Sequence, residues 1–174
     1  MNKREWIFLI AMHALLLVVV YVFQGMIFPH VRIFGLIPLL LPIVSTGIAV
    51  NEGCHAGGIA GLFAGILCDA SFNQPLGVFT VLLTLTGLFI GALVDSVVIR
   101  GFIVYIVSCF VVLIISALAQ IFPYFVFAEV SDRALFTIAL QQTVISIFFA
   151  IPIWFFVRSL GRRMQELSPK QRPL

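Results

Sequence analysis

The sequence predicts an all-α integral membrane protein with six transmembrane helices and both termini in the cytoplasm. Composition is the first reason. Of 174 residues, 62% are hydrophobic and only 10% are charged, where a soluble domain carries about 25% charged residues. The mean hydropathy is +1.20. The second reason is length: a spanning helix needs roughly 20 apolar residues, so the chain holds five or six spans and almost nothing else. The third is the placement of lysine and arginine. With six spans, Lys3, Arg4, Arg100, Arg158, Arg162, Arg163, Lys170 and Arg172 lie on one side, and only Arg32 and Arg133 on the other. Five spans would spoil that bias, which marks the cytoplasmic face. The expected organisation is a single membrane domain over residues 1–174, with no bound nucleic acid.

The first span is expected from Trp6 to Phe28, uncleaved because no small-x-small site follows the apolar run; Pro29-His30-Val31-Arg32 ends it. The second, Phe34 to Val50, carries Pro38 and Pro42 and should start irregularly, and Asn51-Glu52 is a polar break. The third covers Gly53 to Asp69, and the loop Ala70–Pro75 follows. The fourth runs from Leu76 to Val94, and Asp95–Arg100 connects it to the next. The fifth runs from Gly101 to Phe122, closed by Pro123. The sixth runs from Ala134 to Val157, after the loop Glu129–Arg133. A basic cytoplasmic tail, Arg158–Leu174, faces anionic headgroups and anchors the topology.

Two nonapeptides stand out. Gly61-Leu-Phe-Ala-Gly65-Ile-Leu-Cys-Asp69 and Gly87-Leu-Phe-Ile-Gly91-Ala-Leu-Val-Asp95 agree at six of nine positions. In lipid, small residues four apart let two backbones approach closely. Gly53, Gly57, Gly61 and Gly65 form such a stripe, and Gly87 and Gly91 offer a matching surface. These two helices are expected to touch, or each to touch a third. Gly58 lies about 100° from Gly57, so bulk there should matter less than at Gly61.

Each repeat ends in an aspartate at the carboxyl end of its helix, where the macrodipole disfavours negative charge. One reading is structural: Asp69 accepts backbone N–H groups at the start of the next helix, an acceptor role asparagine could also fill, and Asp95 pairs with Arg100. The other is a contact to a partner or ligand, since ionisable residues in spans are functional candidates. His13, inside the first span, is either a neutral interhelical hydrogen-bonding group or a proton relay or partner contact. His55 lies beside Glu52, but two residues do not make a metal site, for which four ligands are usual. Gln141, Gln142, Thr143 and Ser146 read as interhelical hydrogen-bond glue. Cys54, Cys68 and Cys109 form no C-x-x-C pair, so neither disulfide nor metal is inferred. No cofactor is implied.

The chain resembles the MreD family of bacterial rod shape-determining membrane proteins. The pieces are Gly35-Leu36-Ile37-Pro38-Leu39-Leu40-Leu41, the glycine-rich span ending at Asp69, Pro75-Leu76-Gly77 opening the next span, and the basic tail. Leu39 departs from the family, which often has a polar residue after that proline. The resemblance implies a non-enzymatic scaffold or regulator of the cell-elongation machinery, supporting lateral peptidoglycan synthesis. Its implied partners are an MreC-like membrane-anchored protein, the elongation glycosyltransferase and a class B penicillin-binding protein, with actin-like MreB filaments on the cytoplasmic side. The implied fold is similar to the six-helix substrate-binding subunits of energy-coupling factor transporters. That similarity supplies the alternative: a vitamin-binding transporter subunit with an outward pocket near Asp69 and Asn73-Gln74. Ala11 and Ala14, three apart rather than four, disfavour it. An intramembrane enzyme is the poorest reading, since no Ser–His pair, H-E-x-x-H or aspartate cluster is present.

Overall fold

A computed structural model of the chain describes residues 3–27, 38–72, 77–97, 101–127 and 132–167. Among these residues there are six helices and no strand: α1 (Lys3–Ile27), α2 (Leu40–Glu52), α3 (Cys54–Phe72), α4 (Val78–Val97), α5 (Phe102–Phe127) and α6 (Asp132–Leu167).

The short helix organises the rest. α2 packs against all five other helices, and every residue from Leu40 to Val50 is buried. Its sequence explains why. No charge interrupts Leu40–Val50, and its two hydroxyls, Ser45 and Thr46, turn back onto the Pro42 carbonyl at 3.0 and 2.8 Å. A helix apolar on every face has no side to give to water and becomes a core. Around it the other helices follow one another as α1, α3, α4, α5 and α6, each packed on the next. The outward faces of this arc carry large apolar side chains, among them Leu15, Phe89, Ile103 and Phe155, each more than 60% exposed. In a bilayer that surface is solvated by lipid.

Four helices, α3 to α6, are long and apolar enough to cross a membrane. α1 has 25 residues with an apolar stretch at Ile10–Met26. α2 departs from expectation. It has 13 residues, about 20 Å at 1.5 Å per residue, and cannot bridge a hydrocarbon core of about 30 Å as a helix. It begins at Leu40 rather than Phe34, because Pro38 restricts its own start and Pro42 is confined to the first turn, where its missing N–H costs nothing. Its end also moves. Asn51-Glu52 is not a break but the last turn, with Asn51 Nδ2 donating to the Gly47 carbonyl at 2.8 Å.

Two further boundaries are longer than the hydropathy suggests. α5 continues through Pro123 to Phe127, and α6 begins at Asp132 and runs past Arg158 to Leu167. Proline interrupts one hydrogen bond in a helix without ending it when the neighbours supply the packing. Ser159-Leu-Gly-Arg-Arg-Met-Gln-Glu-Leu167 mostly favours helix, so the backbone continues where the apolar stretch stops. Pro29–Ile37, Asn73–Leu76, Arg100, Glu129–Ser131 and residues 168–174 lie outside the described residues.

Candidate functional site

The repeated nonapeptides form one structure. α3 and α4 run antiparallel with their glycines in register, and each step of four along α3 is matched by a step of about four back along α4. A β-carbon added at Gly57 would lie 2.7 Å from the Gly87 carbonyl oxygen and 2.6 Å from the Ala49 methyl of α2. At Gly65 it would lie 2.7 Å from the Phe79 carbonyl oxygen, and at Gly91 2.5 Å from Cys54 Cα. At Gly61 it would overlap the Leu83 carbonyl oxygen, and at Gly87 that of Gly57. The two helices therefore touch each other backbone to backbone over about three turns, and Gly57 also admits α2. Gly58 is different: only the Leu88 side chain opposes it.

The aspartates close the two ends of this seam. Asp69 lies in the last turn of α3. Its Oδ2 accepts hydrogen bonds from the Gly77 amide (3.1 Å), the Thr80 amide (3.0 Å) and the Thr80 hydroxyl (2.6 Å), and its Oδ1 accepts from the Phe79 amide at 3.0 Å. These amides are unpaired donors of the first turn of α4. At the other end Asp95, in the last turn of α4, accepts from the Cys54 amide at 2.8 Å, the first residue of α3. Each carboxylate thus leaves the unfavourable end of its own helix dipole for the favourable end of its neighbour's. The pairing of Asp95 with Arg100 expected from sequence lies outside the described residues.

Gly53 is part of the same joint rather than merely the first of a stripe. Its φ is +91°, and its amide donates to the Ala49 carbonyl at 3.0 Å, ending α2. A β-carbon there would lie 2.5 Å from Asp95 Oδ1. Only glycine combines the left-handed backbone with room for the carboxylate.

The other polar candidates separate. His13 Nε2 sits 2.9 Å from Glu52 Oε1, joining α1 to the end of α2, with both side chains largely buried. Glu52 therefore faces His13, and His55 is exposed. At the other end of α2 the Leu40 amide donates to Gln24 Oε1 at 3.3 Å, and the Leu39 amide to Ser146 Oγ at 2.9 Å. Ser146 in turn donates to the Gln142 carbonyl at 2.7 Å. α1 is thus tied to the central helix by polar contacts near both ends. Gln142, Thr143 and Ser146 are buried, whereas Gln141 faces outward. Sequence reading missed the roles of Gln24 and Glu52; an amide in the middle of an apolar run was the available signal for the first. Among the described residues no three His, Cys, Asp or Glu side chains come together to hold a metal. The cavity of about 690 Å³ between α4 and α5 is lined by Leu85, Phe89, Val111 and Ile115 with Cys54 at one end, and Asp69 does not reach it.

These features define a helical membrane protein whose conspicuous carboxylates are engaged in holding helices together. Residues 3–164 match the family model described as rod shape-determining protein MreD, and the chain belongs to the MreD family. The family is one of shape-determining membrane proteins. No curated protein and no solved structure matches the chain, so no structural neighbour supports the similarity to vitamin-transporter subunits.

Proposed function

We propose that the chain is a non-enzymatic scaffold of the cell-elongation machinery in the bacterial cytoplasmic membrane, with both termini cytoplasmic and six crossings, the second made by α2 together with the apolar residues that precede it in the sequence. It supports lateral peptidoglycan synthesis by holding an MreC-like anchored protein, and through it the glycosyltransferase and class B penicillin-binding protein, near MreB filaments. The observation that carries this reading is the family match over residues 3–164. The chemistry of the chain is consistent with it. Asp69 already accepts four hydrogen bonds, and His13 is engaged with Glu52. The seam of α3 and α4, through Gly57, Gly61, Gly65, Gly87 and Gly91 with Asp69 and Asp95, is the rigid element that such a scaffold needs.

Depletion in a rod-shaped host is expected to give round cells, and the tagged chain to co-purify with an MreC-like protein. Reporter fusions should place Lys3 and Leu174 in the cytoplasm and Asn73 and Ser131 outside. Rod shape kept on depletion, with vitamin uptake lost, would reverse the functional reading. Termini on opposite faces would reverse the six-span topology.

A further inference from the structure

Ser116 and Gln120 lie about one turn apart on α5 and share a physical problem. Among the described residues, no group hydrogen-bonds to the Ser116 hydroxyl or to the Gln120 side-chain nitrogen, although both atoms are buried. Ser116 as a whole is 0% exposed. A buried polar group without a partner is costly, and native interiors hold few of them.

The serine is the more telling of the two. A serine or threonine inside a helix can turn its hydroxyl onto the carbonyl four residues back. Ser71, Thr84, Ser96 and Ser146 do so in this chain, at 2.8, 2.6, 2.8 and 2.7 Å. Ser116 has the Val112 carbonyl at the same spacing and does not take it.

Helix geometry fixes where these groups point. Ser116 follows Tyr105 by about three turns, so the two share nearly one direction. Tyr105 faces α6, where its hydroxyl donates to the Ala150 carbonyl at 3.2 Å. Ser116 therefore faces α6 as well. The antiparallel run of α5 and α6 brings the buried Gln142 and Thr143 within about one turn of its level. Long helical side chains lean back over the preceding turn, which carries the Gln120 carboxamide toward Ser116. Their β-carbons are about 5–6 Å apart. The two groups face each other without bonding, and one oxygen between them would satisfy both.

We propose that Ser116 and Gln120 bind a buried water between them. Water accepts from the Gln120 NH2 group and can donate to, or accept from, the Ser116 hydroxyl, and buried waters typically serve two to four such groups. The polar side chains at this level are amides and hydroxyls, which suits a neutral guest rather than an ion. Gln120 also supplies the way in. It closes the apolar stretch Phe102–Gln120 and is itself partly exposed, so the site opens at the edge of the hydrocarbon and not in its middle. The site is separate from the α3–α4 seam and holds whether or not the wall-synthesis reading does.

The test is a double-mutant cycle on the full chain, read by thermal unfolding in detergent and again in lipid nanodiscs. Ser116→Ala should lower the Tm by about 2–4 °C, because it releases the water and strands the Gln120 amide. Once residue 116 is alanine, Gln120→Leu should lower the Tm less than it does in the parent, since the two groups share one guest. Ser116→Cys keeps nearly the size of serine but hydrogen-bonds weakly, so it should behave like alanine. The proposal is overturned if Ser116→Ala leaves the Tm unchanged or raises it, as removal of an unpaired hydroxyl would. It is also overturned if Ser116→Cys matches the parent, which would make the effect one of packing, or if the two losses add in full. Coupling seen in nanodiscs and lost in detergent would assign the site to a lipid hydroxyl and overturn water as its guest.

Discussion

Gly61→Leu is expected to destabilise the protein by about 3 kcal/mol or more and to abolish rescue of rod shape, while Gly58→Leu costs about 1 kcal/mol. The difference lies in what each side chain meets. At Gly61 even a β-carbon overlaps the Leu83 carbonyl oxygen, which belongs to the α4 backbone. The only relief is to separate α3 from α4, and that also pulls Asp69 away from the first turn of α4. At Gly58 the obstacle is the end of the Leu88 side chain, and Leu88 is 37% exposed, so it can rotate toward lipid. Membrane abundance, thermal unfolding in detergent and complementation measure both variants. Equal tolerance of leucine at 58 and 61 would mean that the glycine stripe is compositional.

Asp69→Ala should be the next most damaging change, at about 3 kcal/mol. Its side chain is buried, and its removal leaves three backbone amides and a hydroxyl of α4 without their acceptor; hydrogen bonds to a charged group contribute about 1.5–3 kcal/mol each and are not additive. The sequence expectation that asparagine accepts the same bonds fails on this geometry. Both carboxylate oxygens accept, and asparagine has one acceptor and one NH2 group. With its oxygen at the Oδ2 position, the NH2 meets the Phe79 amide, donor against donor. Asp69→Asn should therefore fall between wild type and alanine in thermal stability. Asp95→Ala should cost about 1 kcal/mol, as for a helix cap, since Asp95 is exposed. An Asp69→Asn protein as stable as wild type, but no longer co-purifying with its partner, would shift Asp69 from a capping role to a partner contact.

Much of this was legible because membrane helices announce themselves locally. All six apolar segments appear as helices, and the glycine repeat pointed to the α3–α4 contact. The cap at Asp69 was legible too, since it closes a hairpin eight residues away at Gly77. Its counterpart was not, because Asp95 and Cys54 are 41 residues apart, and nothing local marks a carboxylate that reaches back to the previous helix. The central place of α2 was hidden for another reason. Lipid and protein interior select the same apolar residues, so hydropathy cannot tell a helix that faces the bilayer from one that faces only its neighbours. The bonds of Leu39 and Leu40 to Ser146 and Gln24 follow from that burial. Helix ends lie beyond the apolar stretches where backbone propensity, rather than hydropathy, decides, as in α6 beyond Arg158.

The reciprocal α3–α4 seam is the central claim, and an engineered disulfide tests it most directly. A β-carbon at Gly58 would lie 2.9 Å from Leu88 Cγ, which puts the β-carbons of Gly58→Cys and Leu88→Cys about 4 Å apart, within disulfide reach. The free thiols of the denatured chain are counted by maleimide–polyethylene glycol mass shift after mild oxidation in membranes. Gly58→Cys with Leu88→Cys should leave only the three native thiols, Cys54, Cys68 and Cys109. Gly58→Cys with Phe89→Cys, whose second position is 66% exposed on the outward face of α4, should leave two more than those. Two additional free thiols in the first pair as well would contradict the register on which the seam and its two carboxylate caps depend.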